Sequence, residues 1–231
     1  MQQEEHCGGA GLKAVTIMSF GPSLKLPYAG EGEFWSMNSC WDLFRSLPWA
    51  NRISRIYEMH QLDKRKDLVS EIDGVKHLDQ LSWLGSQGVR IVLQEQSEQI
   101  TNSEAYPLAQ IEEELGTKAI EAYTGLDFWG GTPPYLLAQA IYEGYESIHL
   151  VGCDMLDLKH RRQRMGMLYL WGIAKERGID IQGITAYSGR ETIRYGYDYG
   201  PEWDARQQNE LWEGSGINLQ IAGYLDPNSK K

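Results

Sequence analysis

Cysteine is scarce in this chain, and Cys7, Cys40 and Cys153 are an odd number with none of the close spacings of a metal site. That argues against a disulfide framework and a structural zinc cluster, and the three are read as reduced thiols in cytoplasm. No apolar run approaches the roughly 18 residues of a membrane span, so no membrane partner is expected. The opening MQQEEHCGGAG lacks the basic start and apolar run of a secretion signal, and residues 1–11 read as a flexible leader. Positive charge is in deficit: 22 Lys and Arg face 32 Asp and Glu, a formal net charge of −10, which opposes broad affinity for a polyanion such as nucleic acid. There is no internal repeat, no GxGxxG, no Walker loop with its lysine and no HExxH, so a dinucleotide dehydrogenase and a P-loop kinase lack support.

Tyrosine and tryptophan are plentiful. The 13 Tyr and 8 Trp against 4 Phe supply flat apolar faces with polar handles, suited to bases and sugars and equally to core and rim positions. A hydrophobic fraction of 42% over 231 residues fills the core of one large domain. Strand signals at Leu12–Met18, Phe34–Asn38, Arg52–Glu58, Val89–Leu93, Ser147–Gly152 and Ile179–Ile184 alternate with helical stretches. The latter include charged segments between Asp63 and Ser86, Pro107–Leu115 and Gly166–Arg177. That alternation predicts an α/β, Rossmann-like fold, a doubly wound and mainly parallel sheet with helices on both faces. The nucleotide-binding catalytic domain is expected over residues 12–190. Residues 191–231, with Tyr195, Tyr197, Tyr199, Trp203 and Trp212, form a tail that packs on the domain or on the partner of a homo-oligomer.

The stretch FWGGTPPYLLAQAIYEGYESIHLVGCDM, residues 128–155, reads as a phosphate-binding unit. Gly130 and Gly131 form a turn, Thr132 is the expected N-cap and Pro133 the first helical residue of a helix that ends at Gly144. Amides at Gly131 to Pro134 and the positive end of the helix dipole suit a phosphate, and Asp154 follows the next strand at the ligand edge of such a sheet. An ordinary capped helix before a core strand accounts for the same residues. Other candidates fall at other strand ends: Gly21, Pro22 and Ser23 in a crest loop that a plain turn also explains, then Asn38, then Glu58 with His60. The basic run Leu158–Arg164 follows Asp154, bringing His160, Arg161, Arg162 and Arg164 toward the proposed anion pocket unless it is simply a solvated helix face.

The ordered set GPSL at Gly21–Leu24, Asn38, GGTPPYLLAQAIYEGYESIHLVGCDM and AKERGIDIQGITAYS resembles the bacterial sialyltransferase-like glycosyltransferases, with the related flagellin-modifying and hydroxymethylpterin diphosphokinase-like proteins. The resemblance spans about residues 13–190. Glu58-Met59-His60, Gly152-Cys153-Asp154-Met155 and Gln163-Arg164 are similar to uncharacterised phage proteins, which implies a phage gene and the host cytoplasm. In the sialyltransferase-like family these segments surround a cytidine monophosphate donor, which implicates Gly21, Pro22, Ser23, Asn38, Gly131 and Thr132. The family usually has Gly-Asn before GPS; this chain has Ser19-Phe20, so one expected contact to the nucleotide phosphate is missing.

The expected activity is glycosyl transfer from a nucleotide-activated sugar as co-substrate, with Gly131, Thr132, Ser23, Arg161 or Arg164 on the departing phosphate. His160 and His60 are the candidate bases, with Glu58 and Asp154 as alternatives. Magnesium at Asp154 is considered and no metal ligand is assigned. The acceptor is a glycan, a protein or a modified base, and only a basic cleft built from Leu158–Arg164 would bring nucleic acid back as a partner. Two other readings stand beside this one: a magnesium-dependent diphosphotransferase, as the pterin-kinase branch implies, and a non-catalytic nucleotide-binding or virion-associated phage module.

Overall fold

A computed structural model describes residues 12–19, 32–38, 52–69, 74–125, 128–153 and 161–183. They contain seven strands: β1 (Ala14–Met18), β2 (Glu33–Met37), β3 (Ile53–Glu58), β4 (Arg90–Leu93), β5 (Ser103–Ala105), β6 (Ser147–Val151) and β7 (Asp180–Gln182). The helices are α1 (Leu62–Arg65), α2 (His77–Ser86), α3 (Leu108–Leu115), α4 (Thr117–Thr124), α5 (Thr132–Tyr142) and α6 (Arg161–Glu176). All strands pair in parallel in the order β5-β4-β3-β2-β1-β6-β7.

Parallel pairing follows from strands buried on both faces, since each must carry apolar residues toward two helical layers. Period-two alternation sorts the side chains. On one face Ile56, Ile91 and Leu93 pack with Leu81 and Leu84 of α2. On the other, Tyr57 and Val92 join Ile111 of α3, Leu136 and Leu137 of α5, and Met167 and Leu170 of α6. Helices therefore cover both faces.

The chain winds from β1 outward to β5, then returns to lay β6 on the other side of β1. Windings of opposite direction diverge at β1 and β6, so the topological switch point lies there. Its carboxyl edge is closed by the Ser19 amide, which donates to the Val151 carbonyl at 2.8 Å.

Some boundaries differ from the sequence expectation. The helix expected at Gly166 starts at Arg161 and takes in the end of the basic run. Cations oppose the dipole at a helix N-terminus, which is why local electrostatics did not mark that start. Gly166 permits the close packing of this helix: a Cβ there would lie 2.6 Å from the Phe128 carbonyl oxygen. Edge strand β5 and helix α4 gave no sequence signal, because three residues show no alternation and α4 follows α3 directly through Gly116, a left-handed residue at φ 67°.

Candidate functional site

Parallel register aligns the carboxyl ends of the central strands. Met37 is level with Tyr57 and Glu58 with Leu93, so Asn38, Glu58 and Gln94 come out along one edge of the sheet. The Gln94 amide donates to the Met59 carbonyl at 2.6 Å and fixes the chain as it leaves β3.

Glu58 is completely buried on the α2 face of the sheet. A bare carboxylate there would be strongly disfavoured, and its partners explain why it persists. Oε1 accepts the backbone N–H of His60 at 3.1 Å and faces His60 Nδ1 at 2.6 Å. Oε2 faces Nε2 of His77, the first residue of α2, at 2.6 Å, and Arg65 of α1 at 3.1 Å. Burial alone would raise the Glu58 pKa, but the bonds from His60 and His77 and the charge of Arg65 outweigh it and hold the group at about 2.

The two imidazoles differ in access. His77 is buried, whereas the His60 side chain is 53% exposed. A carboxylate at 2.6 Å assigns the His60 proton to Nδ1, which leaves Nε2 as the acceptor. That ring lines two open grooves. One, of about 430 Å³, is lined by Gln61, Asp63, Gln94, Glu95 and Ser97; the other, of about 570 Å³, carries Lys64 and Arg65. A carboxylate that orients a partly exposed imidazole is an arrangement suited to general-base chemistry.

A second group lies where α5 begins. Gly131, in extended backbone, is the N-cap, and Thr132 is the first helical residue rather than the cap expected from the sequence. Its hydroxyl is committed elsewhere, donating to Asn38 Oδ1 at 3.2 Å. Asn38 itself has left-handed backbone at φ 51°, which favours asparagine among residues with a side chain. Pro133 and Pro134 carry no N–H, so the amides expected to hold an anion from Gly131 to Pro134 reduce to those of Gly131 and Thr132.

Of the residues expected from sequence, Glu58 and His60 are in contact, and Asn38, Thr132 and Gly131 cluster at the same sheet edge. Arg164 is part-buried in the first turn of α6, whose backbone Arg161 opens; the Arg161 side chain lies outside what is described. Gly21, Pro22, Ser23, Asp154 and His160 lie outside the described residues. Among the described residues, no group of three or more His, Cys, Asp and Glu side chains is arranged to hold a metal ion. No helix among them is long and apolar enough to cross a membrane.

Sequence reading missed His77 and Arg65. The signal for His77 was present: it lies four residues before Leu81 and seven before Leu84, on the buried stripe of α2.

No family model and no curated protein matches the chain. Among solved structures it is similar to an alpha-2,3-sialyltransferase from Campylobacter jejuni in apo form, at 16% identity and a TM-score of 0.50 over 76% of each chain. It is also similar to the Campylobacter jejuni sialyltransferase CstII in complex with cytidine-5'-monophosphate, at 18% identity and a TM-score of 0.48, covering 74% of this chain and 78% of that one. At these identities the likeness concerns the fold: a single all-parallel α/β sheet of the Rossmann-like kind.

Proposed function

We propose that this chain is a glycosyltransferase that uses a nucleotide-activated sugar, of the cytidine monophosphate class, with His60 as general base. The observation that carries the proposal is the His60–Glu58 contact of 2.6 Å at the carboxyl edge of the sheet, with the imidazole opening onto two grooves. The fold-level likeness to an alpha-2,3-sialyltransferase and the sequence resemblance support the reaction class.

In the reaction, Nε2 of His60 accepts the proton of the acceptor hydroxyl as that oxygen bonds to the anomeric carbon. The bond from that carbon to the donor phosphate breaks, and its electron pair leaves on the phosphate oxygen. Glu58 stabilises the imidazolium that forms. Gly131 and Thr132 offer amides to the departing phosphate, and the Thr132 bond fixes the Asn38 amide beside them. Ser23 and the Gly21-Pro22 loop, Arg161 and Arg164 complete the proposed donor site, and His160 or Asp154 is the alternative base. Asp63, Glu95 and the glutamines of the first groove suit a neutral, hydroxyl-bearing acceptor such as a glycan.

Thermal unfolding against CMP, UMP, GMP, ATP and several nucleotide sugars, each with magnesium or EDTA, tests this. A ligand at 100 times its Kd stabilises by about 2.7 kcal/mol, roughly 5 to 10 °C for a chain of this size. An EDTA-insensitive shift with CMP or a CMP-sugar is expected. A magnesium-dependent shift with ATP alone supports the diphosphotransferase instead, and no shift with any nucleotide overturns the donor assignment.

A further inference from the structure

We propose that His77 is a positioning residue that sets the proton affinity of His60 through their shared carboxylate. The inference rests on the reading of His60 as the base, and extends it to a residue that touches neither groove. His77 Nε2 stands 2.6 Å from Glu58 Oε2, while His60 Nδ1 stands 2.6 Å from Oε1 of the same group. The two imidazoles therefore compete for the negative charge of one carboxylate.

The His77 proton is assigned by its surroundings. The ring is 1% exposed, and among the described residues its Nδ1 has no hydrogen-bond partner. A proton on Nδ1 would be buried without an acceptor, so the neutral ring with its hydrogen on Nε2 is the form that fits. In that form His77 donates to Glu58, keeps the carboxylate ionised and drains part of its charge away from His60. The other charged groups around His60 are Arg65 and Lys64 of α1, and Asp63 and Glu95 of the first groove. Arg65 NH1 lies 3.1 Å from His60 Nδ1, too close for an added positive charge to be neutral in effect, and it touches both Glu58 oxygens. Arg65 therefore works with His77: both reduce the pull of Glu58 on the His60 proton.

Removal of the His77 donor concentrates the Glu58 charge on His60 and stabilises its imidazolium, so the His60 titration midpoint rises. His77→Leu fills the space without a donor; His77→Gln restores an N–H. Titration of the histidine ring resonances in the full chain, with His60 assigned by its loss in His60→Gln, reads this directly and needs no substrate. The expected result is an upward shift of about 0.5 to 1 pH unit in His77→Leu and recovery of most of it in His77→Gln. Equal midpoints in wild type and both variants overturn the proposal. If His77→Leu does not fold, long-range proton–nitrogen correlations on the wild type decide: hydrogens on His60 Nδ1 and His77 Nε2 are expected, and the opposite tautomer at either ring overturns it. Because neither readout involves sugar transfer, the coupling stands or falls separately from the proposed reaction.

Discussion

Arg55 and Glu58 are buried charges on the same short strand, and the molecule treats them in opposite ways. Strand alternation turns Arg55 toward α5 and Glu58 toward α2. Arg55 forms two bonds to Glu143 at 2.6 and 2.8 Å, lies over the Trp35 ring at 4.3 Å, and has Glu33 at 3.6 Å from its Nε. Burial alone would lower its pKa, but the bonds and charge of Glu143 raise it instead. Glu33 is occupied in turn by Tyr145, Trp35 and Ser54. These bonds join side chains to one another near the amino edge of the sheet, with Arg55 at their buried centre. Around Glu58 the chain of interactions ends at His60, whose side chain is 53% exposed. A closed network contributes to holding the sheet and α5 together; an open one can exchange a proton with a ligand.

The sharpest way to break the comparison is His60→Gln. If the open network is catalytic, the initial rate of CMP release from a CMP-sugar falls by roughly two to four orders of magnitude while the melting temperature stays put. An unchanged rate, with His160→Gln inactive, moves the base to His160.

Arg55→Met tests the closed network. It leaves Glu143 with only its bond from Gln139, and breaking such a pair costs up to about 3 to 5 kcal/mol, or at most roughly 6 to 20 °C in a chain of this length. Arg55→Met combined with Glu143→Met recovers most of that loss in thermal unfolding, and nucleotide affinity of the folded protein is preserved in both.

Acid titration separates the two networks. Glu58 has a folded pKa of about 2 against an ordinary 4.5, so its contribution is fully present above the ordinary value and is lost as pH falls from there toward 2. The shift corresponds to stabilisation on the order of 3 kcal/mol. Glu33 and Glu143 are also held low and lose stability in the same direction. The difference in denaturant midpoint between wild type and Glu58→Gln, followed from pH 7 downward, isolates the Glu58 part and should shrink through that window.

Thr132→Val should give the smallest effect. It removes one hydroxyl bond to Asn38, worth about 1 kcal/mol. A drop in CMP affinity larger than the drop in stability would place Asn38 in the donor site; equal small losses would make the bond purely structural.

Much of the fold was legible before any coordinates. The cores of six strands and the helices α3 and α5 follow from apolar spacing, Pro107, and Gly144 as the left-handed stop after α5. Glu58, His60 and Asn38 were legible as site candidates for a related reason: polar residues at the end of apolar strands mark the edge where a parallel sheet meets its ligands, while Thr132 was marked by the start of a helix. The role of Thr132 was misread because a capping signature is local, whereas its hydroxyl bonds a residue from a different strand. His77 was missed because a histidine on a helical stripe looks like a core residue until the strand it faces is known.

The amino-acid sequence by itself determined six of the seven described strands and several of the helices, with the apolar face of each, since these depend on interactions within a few residues. Tertiary structure alone decided the strand order, the pairing of Arg55 with Glu143 and the meeting of Glu58, His60 and His77. Those depend on crossovers and on helix packing across the sheet. A buried charge can survive only where distant segments deliver its partners, and no short window of sequence contains that information.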